Sequence, residues 1–290
     1  MAGRDVLIVD DDRQVRDVLR QIFLAAGYKC VPAKDGDEGL QVFKAGRPPL
    51  VVTDLKMPGI TGIELLQQVR AVDDDVAVIV LTDAADVKTA IASLKLGAHA
   101  FLMKPINVDE LLIATERALE RRQLLIERCE HQKAYGQRQE TTLGRADVVQ
   151  RDVLIVEEEP GIRSLLQQIF LAAGYKCLLA GDGGEGLKLF RRSRPALVVT
   201  DLRMPMVTGG EQVPSAGIEL LKQVRQEDPD AAVIVESGAA DVRSEIACLK
   251  SGAYAYIMKP IIMDELLIAA ERALERRQLL IERRQREEGV

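Results

Sequence analysis

Tryptophan is absent from the 290 residues, and tyrosine and phenylalanine number five each, so aromatics make up only 3% of the chain. Proteins that hold single-stranded nucleic acid stack its bases on aromatic platforms, and there is little here to build one. A basic excess is missing as well: 39 Lys and Arg face 45 Asp and Glu, a formal net charge of −6, whereas a duplex binder carries a positive face. No nucleic-acid partner is expected. No apolar run approaches the roughly 20 residues that cross a bilayer, and the opening MAGRDVLIVDDD enters a strand-like run with no room for a signal peptide. Cysteine is scarce too. Cys30, Cys129, Cys177 and Cys248 show no CxxC spacing, which excludes a zinc site and leaves the reduced thiols of a cytoplasmic protein with no membrane partner.

What is present is a duplication. DVLIV stands at 5–9 and again at 152–156, IFLAAGYKC at 22–30 and 169–177, and ERALERRQLLIER at 116–128 and 271–283. LVVTDLKMP (50–58) returns as LVVTDLRMP (197–205). The copies run at an offset of 147 up to Pro205 and of 155 from Gly217, so the second carries eight extra residues within MVTGGEQVPSAG (206–217). The organisation expected is a domain at 1–130, a polar linker at 131–150 and a second domain at 151–290.

Within the first copy, apolar runs at 6–9, 28–33, 50–54, 76–81 and 100–103 alternate with helical periodicity at 13–26, 36–45, 62–71, 86–96 and from 108 onward. Alternation of this kind specifies a parallel α/β sheet, and the nearly continuous apolarity of several runs fits strands covered on both faces. Five βα units per copy predict two doubly wound, five-stranded parallel sheets of flavodoxin-like type, since a barrel needs about twice the length.

Ligands of open α/β sheets bind beyond the carboxyl ends of the strands. The first expected strand ends in Asp10-Asp11-Asp12, the third in Asp54, the fourth in Thr82 and the fifth in Lys104-Pro105. Several carboxylates on one rim need a cation, and an all-oxygen set suits Mg²⁺. With a lysine and a hydroxyl added, the rim suits a phosphoryl group esterified to a carboxylate. Each piece alone has a plainer reading. The acidic triplet can cap a helix, Asp54 and Lys104-Pro105 can form turns, and Phe101 can be ordinary core.

As a set, VLIVDDD, VVTDLKMPGITG, VIVLT and GAHAFLMKP resemble the receiver domain of two-component response regulators, and the resemblance covers both copies. It implies that Asp54 accepts a phosphoryl group from a phosphohistidine. Asp10, Asp11, Asp54 and the backbone carbonyl of Lys56 would hold Mg²⁺. Thr82 and Lys104 would bind the phosphoryl oxygens, and Phe101 would repack on phosphorylation. Asp83 departs from the small residue the family favours there, and a carboxylate at the pocket mouth repels an incoming phosphodonor.

The second copy keeps Asp201 and Lys259, with Ser237 for the threonine and Tyr256 for the phenylalanine. Its acidic triplet is Glu157-Glu158-Glu159, however, and the added methylene suits octahedral Mg²⁺ poorly. Glu236 replaces Leu81 at the end of an apolar strand, where a charge should be paired or reach solvent. The eight-residue insertion follows Asp201 and borders the same pocket. An impaired, pseudo-receiver second copy is expected.

The last helix of each copy outruns the sheet, and Leu112, Leu119 and Ile126 recur every seven residues, as do Leu267, Leu274 and Ile281. Such a stripe is either a coiled-coil seam or a solvated spacer. Taken as a seam it predicts a homodimer. The overall expectation is a response regulator without DNA-binding output, phosphorylated on Asp54 and not a turnover enzyme, served by a histidine kinase or histidine phosphotransfer protein and acting on an unknown output protein. The alternative is a non-catalytic adaptor built from receivers. A phosphatase fares poorly, because no separate general base and no GxGxxG or GxxxxGK loop is present.

Overall fold

The computed structural model describes residues 5–83, 87–135, 152–206, 212–213, 215–238 and 242–288. The chain forms two compact units, Met1–Ala134 and Tyr135–Val290.

In the first unit five strands, β1 (Asp5–Val9), β2 (Lys29–Ala33), β3 (Leu50–Asp54), β4 (Ala77–Thr82) and β5 (Ala100–Met103), alternate with α1 (Arg13–Ala25), α2 (Gly36–Gly46), α3 (Gly62–Val72), α4 (Val87–Lys95) and α5 (Val108–Tyr135). The sheet is parallel throughout, in the order β2-β1-β3-β4-β5. Val6 through Val9 and every residue of β3 and β4 are buried, which is why these runs are apolar without alternation. One face packs on Leu40 and Phe43 of α2 and Leu65, Leu66 and Val69 of α3. The other packs on Leu19 and Phe23 of α1 and Leu111 and Ala118 of α5. Each such side chain taken from water contributes roughly 1.5–3 kcal/mol.

The second unit repeats the plan with β6 (Asp152–Val156), α6 (Pro160–Ala172), β7 (Lys176–Ala180), α7 (Gly183–Ser193), β8 (Leu197–Asp201), α8 (Ala216–Glu227), β11 (Ala232–Ser237), α9 (Val242–Lys250), β12 (Ala255–Met258) and α10 (Met263–Glu288). Its parallel sheet runs β12-β11-β8-β6-β7. The insertion forms part of a small antiparallel pair, β9 (Met204–Pro205) with β10 (Gln212–Val213). Residues 207–211 and 214, within the insertion, lie outside the described residues.

Helix starts differ between the units where the sequence does. Thr61 and Glu64 form a reciprocal capping box on α3, whereas Ser215 makes no side-chain bond to α8. Asp12 caps α1 by accepting from the backbone of Gln14, but Glu159 makes no such bond to α6, which opens on Pro160. A carboxylate cap contributes about 1 kcal/mol.

Two expectations change. Helix α5 continues through Tyr135 into the stretch read as a linker, whose remainder (136–150) lies outside the described residues. The apolar stripes are also largely absorbed by their own units: Leu112 and Leu119 pack on the first core, and Leu267 and Leu274 on the second. Arg122 pairs with Asp73 at 2.7 Å, and Arg277 with Asp228 at 2.7 Å, so each long helix is also pinned to the loop leading into β4 or β11.

Candidate functional site

Strand order reverses between β1 and β3, since β2 lies outside β1 and β4 outside β3. The carboxyl ends flanking such a reversal are where open α/β sheets bind ligands. Asp10 directly follows β1, and Asp54 ends β3. Lys104 directly follows β5, and its backbone N–H donates to the Thr82 carbonyl at 2.8 Å. The Lys104–Pro105 peptide bond is cis. The Lys104 ammonium reaches Asp54 Oδ1 at 2.5 Å and Asp10 Oδ2 at 3.1 Å.

The acidic triplet divides its labour. Asp10 is fully buried and uses its other oxygen to accept from the backbone N–H of Asp12 at 2.9 Å. Asp11 is exposed at the rim. Asp12 caps α1. The helix-cap reading and the site reading are therefore both satisfied, by different members. Asp54 Oδ2 accepts from the Lys56 backbone N–H at 3.0 Å, which ties the carboxylate to the loop that carries the Lys56 carbonyl.

Burial raises the Asp10 pKa, partly opposed by the Asp12 backbone bond and by Lys104. Burial also opposes the charge of Lys104, but the bonds and charges of Asp54 and Asp10 outweigh it and hold its pKa above the ordinary value. One ammonium faces the carboxylates of Asp10 and Asp54, with Asp11 exposed at the rim. That imbalance of charge is what a divalent cation corrects. Among the described residues no three His, Cys, Asp or Glu side chains are grouped to hold an ion by themselves. A cation here would draw on the carboxylates of Asp10, Asp11 and Asp54, a backbone carbonyl and water, a donor set that Mg²⁺ accepts.

Thr82 is buried, and its hydroxyl donates to the Asp83 carbonyl at 3.2 Å rather than toward Asp54. Asp83 itself is exposed. Phe101 is half-buried and packs on the core formed with α2 and α3, the face opposite α1 and α5. The structure thus brings Asp10, Asp54 and Lys104 into contact, leaves Asp11 at the rim, and sets Phe101 on the other side of the sheet. Arg16 was not singled out in the sequence, yet it donates to the Asp10 carbonyl at 2.6 Å. Gly62 was missed too: a Cβ there would lie 2.1 Å from the Asp54 carbonyl oxygen. A glycine eight residues after a strand-ending aspartate, opening a helix, was the available signal.

The second unit reproduces the ion triad. Lys259 reaches Glu157 Oε2 at 2.7 Å and Asp201 Oδ1 at 2.8 Å, and the Arg203 backbone donates to Asp201 Oδ2 at 2.9 Å. Burial raises the Asp201 pKa against the pull of Lys259. Lys259 is itself held above its ordinary pKa, because its bonds to Asp201 and Glu157 outweigh burial. Ser237 is buried, and Tyr256 packs half-buried on the core formed with α7 and α8. Glu158, the counterpart of Asp11, is half-buried rather than exposed.

Glu236 corrects an expectation. It is only 1% exposed, and neither carboxyl oxygen accepts a hydrogen bond. It is thus neither solvated nor paired. Burial, reinforced by the charges of Glu157 and Asp201 and opposed by Lys259, pushes its pKa up to about 8. With a proton retained, Glu236 becomes a hydrogen-bond donor to Glu157.

The chain is 36% identical over 194 residues to the C4-dicarboxylate transport transcriptional regulatory protein DctD of Pseudomonas aeruginosa, covering 66% of this chain and 40% of that protein. It is 43% identical over 117 residues to the response regulator MprA of Mycolicibacterium vanbaalenii, covering 40% of this chain and 50% of that protein. The chain therefore spans half the length, or less, of these curated relatives. A solved response regulator receiver domain protein from Clostridium thermocellum aligns at 31% identity with a TM-score of 0.41, covering 42% of this chain and 98% of its own. Residues 6–116 and 153–271 each match the response regulator receiver domain, so the chain belongs to the receiver-domain family of two-component signalling and carries the domain twice.

Proposed function

We propose that the first unit is the phosphoacceptor of a two-component relay and that Asp54 carries the phosphoryl group. The observation that supports this most directly is the buried triad of Asp10, Lys104 and Asp54, with the lysine 3.1 and 2.5 Å from the two carboxylates. A carboxylate oxygen of Asp54 attacks phosphorus of a phosphohistidine on a histidine kinase or a histidine phosphotransfer protein. The P–N bond breaks, and the imidazole nitrogen leaves with its electron pair and takes up a proton. Lys104 then exchanges its bond to Asp54 for one to a phosphoryl oxygen. Asp10, Asp11, Asp54 and the Lys56 carbonyl are the groups that would hold Mg²⁺, which when bound neutralises the charge gathered there.

The new oxygens recruit the Thr82 hydroxyl away from the Asp83 carbonyl. That shift biases the packing of Phe101 and hence the α4–β5–α5 surface that an output protein reads. Output through protein contacts, with no turnover of an independent substrate, is the reading for these 290 residues. The test is intact mass after treatment with acetyl phosphate and Mg²⁺. Wild type is expected to gain one phosphoryl group, and Asp54→Ala to lose most of that gain. A gain undiminished in Asp54→Ala rejects the assignment.

A second reading is favoured by Glu236 for the second unit alone. A buried carboxyl group beside Asp201 suits a receiver that serves as an adaptor rather than an acceptor.

A further inference from the structure

The sequence alone points to Glu157 and Glu158 as the reason for a weak second pocket. The geometry points elsewhere. Lys259 spans Glu157 and Asp201 at 2.7 and 2.8 Å, as closely as Lys104 spans Asp10 and Asp54 at 3.1 and 2.5 Å. Backbone contacts match as well: Glu157 accepts from the Glu159 N–H at 3.0 Å, as Asp10 does from Asp12 at 2.9 Å. The extra methylene of Glu157 is therefore absorbed without breaking the triad. What differs beneath the triad is the strand next door.

Glu236 lies on β11 directly beside Asp201 in the register of the sheet, as Leu81 on β4 lies beside Asp54. Neighbours in parallel register point to the same face. Leu81 is fully buried in the core against α1 and α5. Glu236 fills the same place with a carboxyl group that no donor satisfies. Building on the reading of Asp54 and Asp201 as acceptor positions, we infer that Glu236 is the specificity-determining residue that directs phosphoryl transfer to the first unit and away from the second. It acts through Asp201 and Lys259, so it is a positioning residue. Ionised, it adds a third carboxylate around one ammonium and repels a phosphoryl dianion. Protonated, it bonds Glu157 and fixes that carboxylate. Either state opposes the rearrangement of Lys259 that phosphorylation of Asp201 requires.

The experiment uses the full chain with acetyl phosphate and Mg²⁺, borohydride trapping of the aspartyl phosphates, and peptide mapping of Asp54 and Asp201. Glu236→Leu, which installs the residue found at the matching place in the first unit, is expected to raise Asp201 labelling by about tenfold or more, the scale of one nearby charge. Glu236→Gln, which is uncharged but keeps a donor toward Glu157, is expected to gain less than Glu236→Leu. Leu81→Glu is expected to depress Asp54 labelling by a similar factor, with circular dichroism verifying that the variant folds. Glu157→Asp combined with Glu158→Asp is expected to gain less than Glu236→Leu alone.

Asp201 labelling that stays at the wild-type level in Glu236→Leu, while Asp54 labels normally, overturns the inference. So does a larger gain from the Glu157 and Glu158 pair, or a Glu236→Gln variant that gains more than Glu236→Leu. Absence of label on Asp54 in the wild type defeats the underlying reading instead, and the inference falls with it.

Discussion

Replacing Glu236 by leucine should make the second unit more stable, by an amount that grows with pH. In the folded unit the carboxyl pKa is about 8 against an ordinary 4.5. Between those values the unfolded chain has released its proton while the folded unit retains it. Stability therefore falls as pH rises through this window. The interval is about 3.5 pH units at roughly 1.4 kcal/mol each, which places the penalty in wild type at up to about 4–5 kcal/mol by pH 8. Leucine removes the penalty and adds an apolar contribution that does not depend on pH, so the slope carries the information. Calorimetry of the full chain in chelator at pH 5, 7 and 8.5 reads it. Domains of 100–200 residues shift by about 3–5 °C per kcal/mol, so the gap between variant and wild type should widen by about 10 °C or more from pH 5 to 8.5. Only the transition of the second unit should move, because the two units are separately compact. A gap that stays constant across this range, or narrows, would refute the argument that a buried, unsatisfied carboxyl is being forced to ionise.

Gly62→Ala should destabilise the first unit by several kcal/mol in urea unfolding, since its Cβ would fall 2.1 Å from the Asp54 backbone oxygen; a change within about 0.5 kcal/mol would contradict the close approach. Asp12→Ala should cost about 1 kcal/mol of stability through the lost α1 cap while leaving acetyl phosphate labelling of Asp54 within about twofold, because Asp10 rather than Asp12 touches Lys104; a collapse of labelling would assign Asp12 to the pocket. Asp11→Ala should weaken Mg²⁺ binding by about tenfold or more in titration of the full chain, and Glu158→Ala by far less; equal effects would argue against the first unit as the metal-holding one. Homodimerisation now rests on Ile126 and Ile281, because the earlier members of the stripes pack on their own units; sedimentation at micromolar concentration should show a dimer that Ile126→Glu with Ile281→Glu dissociates, and a monomeric wild type would reject it.

The features legible in the sequence are those in which local chemistry and fold agree. Strands such as LVVTD, buried on both faces, advertise themselves by apolar residues without alternation, and the residues at or just past each strand's carboxyl end reach the same rim. Asp10, Asp54 and Lys104 followed from that rule alone. Glu236 was located but misjudged. A one-dimensional pattern says that a charge interrupts a strand, but whether neighbours satisfy it depends on side chains from β6, β8 and the turn after β12. The two-stranded β9–β10 pair escaped for a related reason, since two-residue strands carry no periodicity to read. The stripes on α5 and α10 were visible, but a heptad pattern does not distinguish a partner helix from the helix's own sheet. That distinction lay with Leu119 and Leu274, each 11 residues into its helix and still over its own core.

The sequence identity of the central strands has a consequence for how the chain reaches its native state. DVLIV forms both β1 and β6, and LVVTD forms both β3 and β8. Nothing in these segments tells a nascent β3 to pair with β1 rather than with β6, because register and burial pattern would be equally satisfied. Two sheets that interchange a strand would preserve nearly every local contact, which makes strand exchange a low-energy kinetic trap of the kind that besets repeat proteins. For these strands, sorting leans on order and proximity more than on their own chemistry. A first unit completed during synthesis withdraws its copies of both strands before the second pair emerges, whereas refolding from denaturant releases all four at once. Translation supplies a sorting cue that these duplicated strands do not themselves encode.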